Sequence, residues 1–208
     1  MAQILKEEVR ERILSSAREE FLSKDYESAS MRSIALKSRM TVGNLYRYFK
    51  SKEELNLFIV SPTYNKINDL ILQLTDSKIS LRELNGPLNL KVEDLKRMLD
   101  QLGDGLADIY LEHKIEFKIL MMHSRINQTI RGWFAGAIED LILTRFPTVE
   151  KTPNLSLIST AYATAVFDGL KEIFVEDTIG REDLKQLVKV YLDSYIQLLE
   201  KMDLNDMK

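Results

Sequence analysis

Apolar residues recur every three or four positions through most of the chain. Val9, Ile13, Ala17 and Phe21, with Leu14 beside them, form one face of an amphipathic helix over 6–23, the spacing of a helix with 3.6 residues per turn. The polar run Lys24-Asp25-Tyr26-Glu27 is expected to end it. Ser30 is a suitable N-cap for a short helix that turns Met31, Ile34 and Ala35 inward. Ser38-Arg39-Met40 reads as a turn. Thr41 caps a second short helix to about Tyr46, with Leu45 and Phe49 inward. Ser51 and Glu54 stand at capping-box spacing. They open a longer helix that is expected to bury Leu55, Phe58 and Ile59.

Beyond Leu74 the pattern weakens, and Asn85-Gly86-Pro87 is a strong helix breaker. Periodicity returns near Val92 with Leu95, Met98, Leu99 and Leu102, and Gly103 and Gly105 are candidate interruptions. Further helices are expected over 110–124, 129–145, 155–175 and 181–202. No stretch alternates polar and apolar residues long enough to make a strand, so the fold class is all-α. The expected division is a domain over 1–50 and a helical domain over 51–208, joined by the helix that starts near residue 51. Pro62 lies inside that connector and is expected to kink or divide it.

Charge changes the picture. The formal net charge is −3. Over 28–52, however, Arg32, Lys37, Arg39, Arg47, Lys50 and Lys52 face no acidic neighbour in sequence, and the remainder of the chain carries −9. A basic island on an acidic protein is the electrostatic footprint of a polyanion-facing element. Two short helices joined by a tight turn inside that island match a helix-turn-helix DNA-binding unit.

Other chemistry is sparse. The absence of cysteine removes disulfides, thiolate nucleophiles and Cys-ligated zinc. His113 and His123, ten residues apart, lack the spacing of a helical metal pair. No nucleophile motif or Gly-rich phosphate loop occurs, so neither an enzyme nor a cofactor is expected. No apolar run approaches bilayer length, and the N-terminal residues turn charged too early for a secretory signal. A cytoplasmic location with no membrane partner is expected.

The segments Met31-Arg-Ser-Ile-Ala35 and Thr41-Val-Gly-Asn-Leu-Tyr-Arg-Tyr-Phe-Lys-Ser-Lys-Glu-Glu-Leu55 resemble the N-terminal domain of the TetR/AcrR family of bacterial transcription regulators. Ile34-Ala35, Gly43, Leu45-Tyr46, Tyr48-Phe49 and Ser51-Lys52-Glu53 fall in register with the family pattern. Upstream, Ile13-Leu14, Ala17 and Phe21 match its first helix. The resemblance spans about 7–58, and beyond that it is architectural. One position departs: Arg39 stands where the family usually has a turn glycine. That implies an altered turn or tolerated strain, and it adds a cation beside the phosphate-facing surface.

The resemblance implies a role for each DNA-facing residue. Thr41 caps the recognition helix. Tyr46 and Tyr48 place hydroxyls on phosphates, and Lys52 and Ser30 add phosphate contacts. Val42, Gly43 and Asn44 enter the major groove, where Asn44 pairs with adenine, Val42 meets a thymine methyl and Gly43 lets the backbone come close. Arg32 reaches a guanine or a phosphate, while Arg39, Arg47 and Lys50 contribute to phosphate attraction. One short helix reads few base pairs, so a homodimer on an inverted repeat of double-stranded DNA is expected.

The last helix carries Leu184, Val188, Tyr191, Tyr195, Leu198 and Met202 at alternating steps of 4 and 3. A second stripe of Leu187, Leu192 and Leu199 is expected to face the chain's own domain. With Ala161, Ala165 and Gly169 on the preceding helix, the first stripe predicts a four-helix dimer interface. The Asp168-Gly169-Leu170 run resembles a common family feature. The family also implies a pocket for a small-molecule effector. Tyr110, Phe117, Met121, Met122, Trp133, Phe134 and Phe167 are its candidate lining. Their character favours a lipophilic ligand, whose binding is expected to shift the connecting helix and change the spacing of the two recognition helices. The alternative is a DNA-binding protein of the same fold with no small-molecule effector, architectural or protein-regulated.

Overall fold

The structure is a computed structural model that describes residues 2–74, 92–122, 124–146, 148–176 and 179–201. Among these residues the chain forms nine helices and no strand. They are α1 (Ala2–Ser28), α2 (Met31–Lys37), α3 (Val42–Tyr46), α4 (Lys52–Leu74), α5 (Val92–Glu112), α6 (Lys114–Met122), α7 (Ser124–Arg145), α8 (Pro153–Val175) and α9 (Arg181–Lys201). The Asn85-Gly86-Pro87 breaker, His123, Leu199 side-chain packing and Met202 lie outside the described residues.

Two expected breaks are absent. The run 24–27 stays helical to Ser28, because it contains neither Pro nor Gly and the Tyr26 ring packs 6.0 Å from that of Phe21. Gly103 and Gly105 also stay inside one helix. There they give room to neighbours: a Cβ at Gly103 would lie 3.1 Å from Val188, and one at Gly105 would lie 2.6 Å from Leu70. Conversely, the single helix expected over 110–124 is broken at His113, whose carbonyl accepts from the Phe117 amide at 2.9 Å as α6 starts. Pro62 lies within α4, which continues through it as one helix.

The chain folds as two compact units. One comprises Met1–Lys66 with His113–Ser124, the other Ile67–Glu112 with Arg125–Lys208. The division therefore falls within α4, and α6 belongs with the N-terminal helices. In the first unit, Ile13, Ala17, Phe21, Ile34, Ala35, Leu45, Phe49, Leu55 and Ile59 are buried together. Phe58 departs from expectation. It stays 45% exposed, its ring edge-on to Phe49 and covered by the Arg10 guanidinium at 4.5 Å.

In the second unit, Met98, Leu141, Ile142, Leu155 and Ile196 form a core drawn from α5, α7, α8 and α9. An antiparallel ion-pair ladder flanks it. Asp108 accepts from Arg181 at 3.0 Å and Lys185 at 2.9 Å, and Asp100 accepts from Lys189 at 3.1 Å. These pairs are substantially exposed, so they fix helix register more than they add stability.

Candidate nucleic-acid interface

The turn between α2 and α3 is closed by two backbone hydrogen bonds. The Met40 amide donates to the Ala35 carbonyl at 2.9 Å and the Arg39 amide to the Leu36 carbonyl at 3.1 Å. That pair of bonds is a Schellman motif, whose C′ residue must be left-handed. Arg39 takes that position with φ +54°, alone among the described non-glycine residues in having a positive φ. The turn therefore keeps its geometry without glycine, at a cost of about 1–2 kcal/mol in backbone strain.

Both short helices start on side-chain caps. Ser30 Oγ accepts from the Ser33 amide at 3.2 Å, and Thr41 Oγ1 accepts from the Asn44 amide at 3.2 Å. The Ser51–Glu54 box is present in modified form. Ser51 Oγ accepts from the Glu54 amide at 3.0 Å, while the Glu54 carboxylate reaches the Lys50 amide at 2.6 Å, one residue beyond the cap.

A buried carboxylate anchors α2 to α1. Glu20 is fully buried. Its Oε2 accepts from Ser33 Oγ at 2.7 Å and lies 3.1 Å from Lys37 Nζ, and its Oε1 lies 3.0 Å from Lys24 Nζ. Burial alone raises a carboxyl pKa, but the hydrogen bond from Ser33 and the two ammonium groups outweigh it and hold Glu20 at about 2. The Lys37 ammonium is held above its ordinary value, chiefly by its 2.7 Å bond to Glu19. Of the basic island, Lys37 is thus spent inside the unit.

Lys52, expected to contact a phosphate, is bonded within the unit. Its Nζ donates to the carbonyls of Tyr26 at 2.6 Å, Glu27 at 3.1 Å and Ala29 at 3.0 Å, and lies 4.5 Å from the Tyr26 ring. Two of these carbonyls, of Tyr26 and Glu27, are orphans of the last turn of α1, and the third, of Ala29, lies just beyond it.

Of the remaining DNA-facing candidates, Arg39, Thr41, Asn44, Arg47 and Tyr48 line one groove. Arg32, Arg39, Thr41, Gly43, Asn44, Arg47 and Lys50 are exposed, and Val42 is half-buried. Ser30 is exposed with its Oγ in the cap. Tyr46 presents about half its surface. A Cβ built at Gly43 meets nothing within 4 Å, so its backbone is open to an approaching partner.

That groove, of about 620 Å³, runs between α1 and the helix-turn-helix, lined by Lys6, Val9, Arg12, Arg39, Met40, Thr41, Asn44, Arg47 and Tyr48. Lys6 and Arg12 were missed in the sequence because acidic neighbours in α1 mask them. Their signal is the Lys6–Val9–Arg12 spacing of three, which puts both cations on one helical face.

The second unit rearranges the expected dimer stripe. Leu184 and Val188 are buried in the chain's own core, in line with Leu192 and Ile196 at steps of four, so they are corrected from the partner-facing set. Val188 fills the space left by Gly103. Gly169 likewise faces inward, because any side chain there would overlap the Tyr191 ring. Tyr191 donates to the Ala165 carbonyl at 2.7 Å and bonds Tyr195 at 3.0 Å. Burial first, and then Tyr195, raise its pKa above the ordinary phenol value. Ala161 and Ala165 are exposed on α8 beside Leu157, and Leu198 is exposed on α9 with Leu187 and Val190. Leu187, expected to face the chain's own domain, is therefore on the outer face.

The proposed effector lining is split between the units. Phe117, Met121 and Met122 belong to the first, and Tyr110, Trp133, Phe134 and Phe167 to the second. All but Met122 are buried. A small apolar cavity of about 40 Å³ in the second unit is lined by Phe134, Leu99, Leu141, Tyr162, Val166 and Tyr195 among others, and not by the remaining six candidates. Tyr110 instead packs on Phe174 at 5.2 Å, and Phe167 lies under the Arg131 guanidinium, which pairs with Asp168. Among the described residues no cluster of His, Cys, Asp or Glu could hold a metal, and no helix is long and apolar enough to cross a membrane.

Two short, side-chain-capped helices joined by a tight turn, the second of them exposed, have the geometry of a helix-turn-helix unit. Residues 13–57 match the family of bacterial regulatory proteins called the tetR family. No curated protein matches it closely. Its fold is shared with a TetR-family regulator from Chloroflexus aurantiacus J-10-FL (17% identity, TM-score 0.57, 94% of this chain and 93% of that one). It is also shared with a TetR-like regulator from Rhodococcus sp. RHA1 (15%, 0.56, 91% and 96%). A third is a TetR-family regulator from Shewanella sp. PV-4 (18%, 0.52, 91% and 97%).

Proposed function

We propose that the protein binds an inverted-repeat operator as a homodimer, represses transcription there, and leaves the DNA when a small lipophilic effector binds its second unit. The observation that carries the DNA half is the open recognition helix. Gly43 has free space where a Cβ would be, between exposed Thr41 and Asn44 and beside Arg47. Val42, Asn44 and Arg32 are the base-reading candidates, and Ser30, Tyr46, Tyr48 and Lys50 are phosphate-side candidates. The exposed apolar positions Leu157, Leu187, Val190 and Leu198, with Ala161 and Ala165, support a partner-facing surface on α8 and α9.

Support for an effector comes from orphaned polar groups. Among the described residues, Trp133 Nε1 and Ser159 Oγ are buried without a hydrogen-bond partner. Buried polar groups are nearly always paired, so each is a position where a polar group of a ligand would find a partner. The small size of the Phe134 cavity, about 40 Å³, favours the second reading, the same DNA-binding dimer without a small-molecule effector.

The test is Gly43→Ala. The folded state gains up to about 1 kcal/mol in helix propensity, while affinity for a duplex selected by the wild type falls at least tenfold. A variant that binds that duplex as tightly as wild type contradicts the placement of Gly43 against DNA.

A further inference from the structure

The groove between α1 and the helix-turn-helix is basic and sits at the start of the recognition helix. Four of its lining side chains are cations, Lys6, Arg12, Arg39 and Arg47, and none is a carboxylate. No ion pair within the described residues neutralises any of the four, in contrast to Lys37 and Lys52, whose ammonium groups are committed. The groove shares Thr41 and Asn44 with the recognition helix, so anything that lies along α3 passes its mouth. Arg39 is held in the left-handed turn at the junction, so the turn sets its backbone position at the groove's edge. Four uncompensated cations in one concavity repel one another, and an anion lying among them removes that repulsion. A duplex supplies one: its phosphates continue along each strand beyond the bases that a short helix can reach.

We infer that α1 is part of the DNA-binding surface: Lys6 and Arg12, with Arg39, grip backbone phosphates flanking the bases read by α3. This rests on the DNA-binding reading and adds to it. The grip contributes affinity and register and carries no base preference.

The test uses the full-length chain and a labelled duplex that the wild type selects from a random-sequence pool. Binding of wild type and of Lys6→Gln/Arg12→Gln is measured over a salt series, with circular dichroism to show that both are equally folded. Each phosphate contact contributes about 0.9 to the slope of log K against log salt. The double variant is expected to lose about 1.8 from the slope per subunit, to bind more weakly at moderate salt, and to rank mutated duplexes in the wild-type order. Lys6→Arg/Arg12→Lys, which keeps both charges, is expected to keep the slope. An unchanged slope in the glutamine variant overturns the inference while leaving DNA binding intact. A changed base preference overturns it in favour of base reading from α1. A wild type that selects no duplex contradicts the DNA-binding reading itself.

Discussion

Lys52 Nζ lies 2.6 Å from the carbonyl oxygen of Tyr26, twenty-six positions earlier in the chain. With its bonds to Glu27 and Ala29, it ties the first residue of α4 to the end of α1, and through that end to the start of the helix-turn-helix. Lys52→Ala is therefore expected to destabilise the protein by about 1–2 kcal/mol, the worth of charge-assisted bonds in a partly exposed site. The slope of DNA affinity against salt stays at the wild-type value. Arg47→Ala is expected to do the reverse, lowering the slope by about 0.9 with little change in stability. Urea unfolding and salt-dependent binding of both variants separate the two roles.

Arg39→Gly relieves a left-handed backbone, which costs a non-glycine residue about 1–2 kcal/mol, and returns about 0.5–1 kcal/mol to unfolded-chain entropy. The net expectation is a protein up to about 1 kcal/mol more stable, measured by thermal or urea unfolding. The same variant is expected to bind DNA more weakly and with a shallower salt dependence. Stability and DNA affinity thus move in opposite directions at this position.

Glu20 makes folding sensitive to acid. Its folded-state pKa, about 2, lies below the ordinary 4.5, so its contribution is present in full above 4.5 and is lost as pH falls from there toward 2. The difference corresponds to about 3 kcal/mol. Glu20→Gln is expected to remove most of that at neutral pH and to flatten the decline of stability between pH 5 and 2. Urea midpoints of wild type and variant across that range read the effect directly.

The two faces of α9 separate folding from assembly. Val188→Ala opens a cavity against Gly103 and α5 and is expected to cost about 1–3 kcal/mol. Leu198→Glu, on the exposed face, is expected to leave monomer stability within about 0.5 kcal/mol and to convert a dimer into a monomer. Light scattering after size-exclusion chromatography, beside urea unfolding, reports both.

Much of this was legible in the sequence. The N-terminal helices have caps, turn residues and an apolar period that agree with one another, so Ser30, Thr41, Leu45 and Ser51 are where local chemistry puts them. What sequence could not supply is which long-range partner takes each charge. Lys52 and Lys37 read as free cations because their partners, Tyr26, Glu19 and Glu20, belong to α1. Lys6 and Arg12 read as background because the acidic residues beside them point elsewhere. On α9, two overlapping heptad-like stripes are indistinguishable by spacing. Gly103 decides between them by leaving room for Val188, and Gly169 by leaving room for Tyr191.

The most direct test of the account is fluorescence anisotropy of the full-length protein on a duplex selected from a random pool, titrated at several salt concentrations and at a stoichiometric duplex concentration. The account predicts saturation at two subunits per duplex, an inverted repeat in the selected sequence, and affinity that falls steeply but selectively with salt. Weak binding, equal on every duplex and abolished by moderate salt, would contradict it.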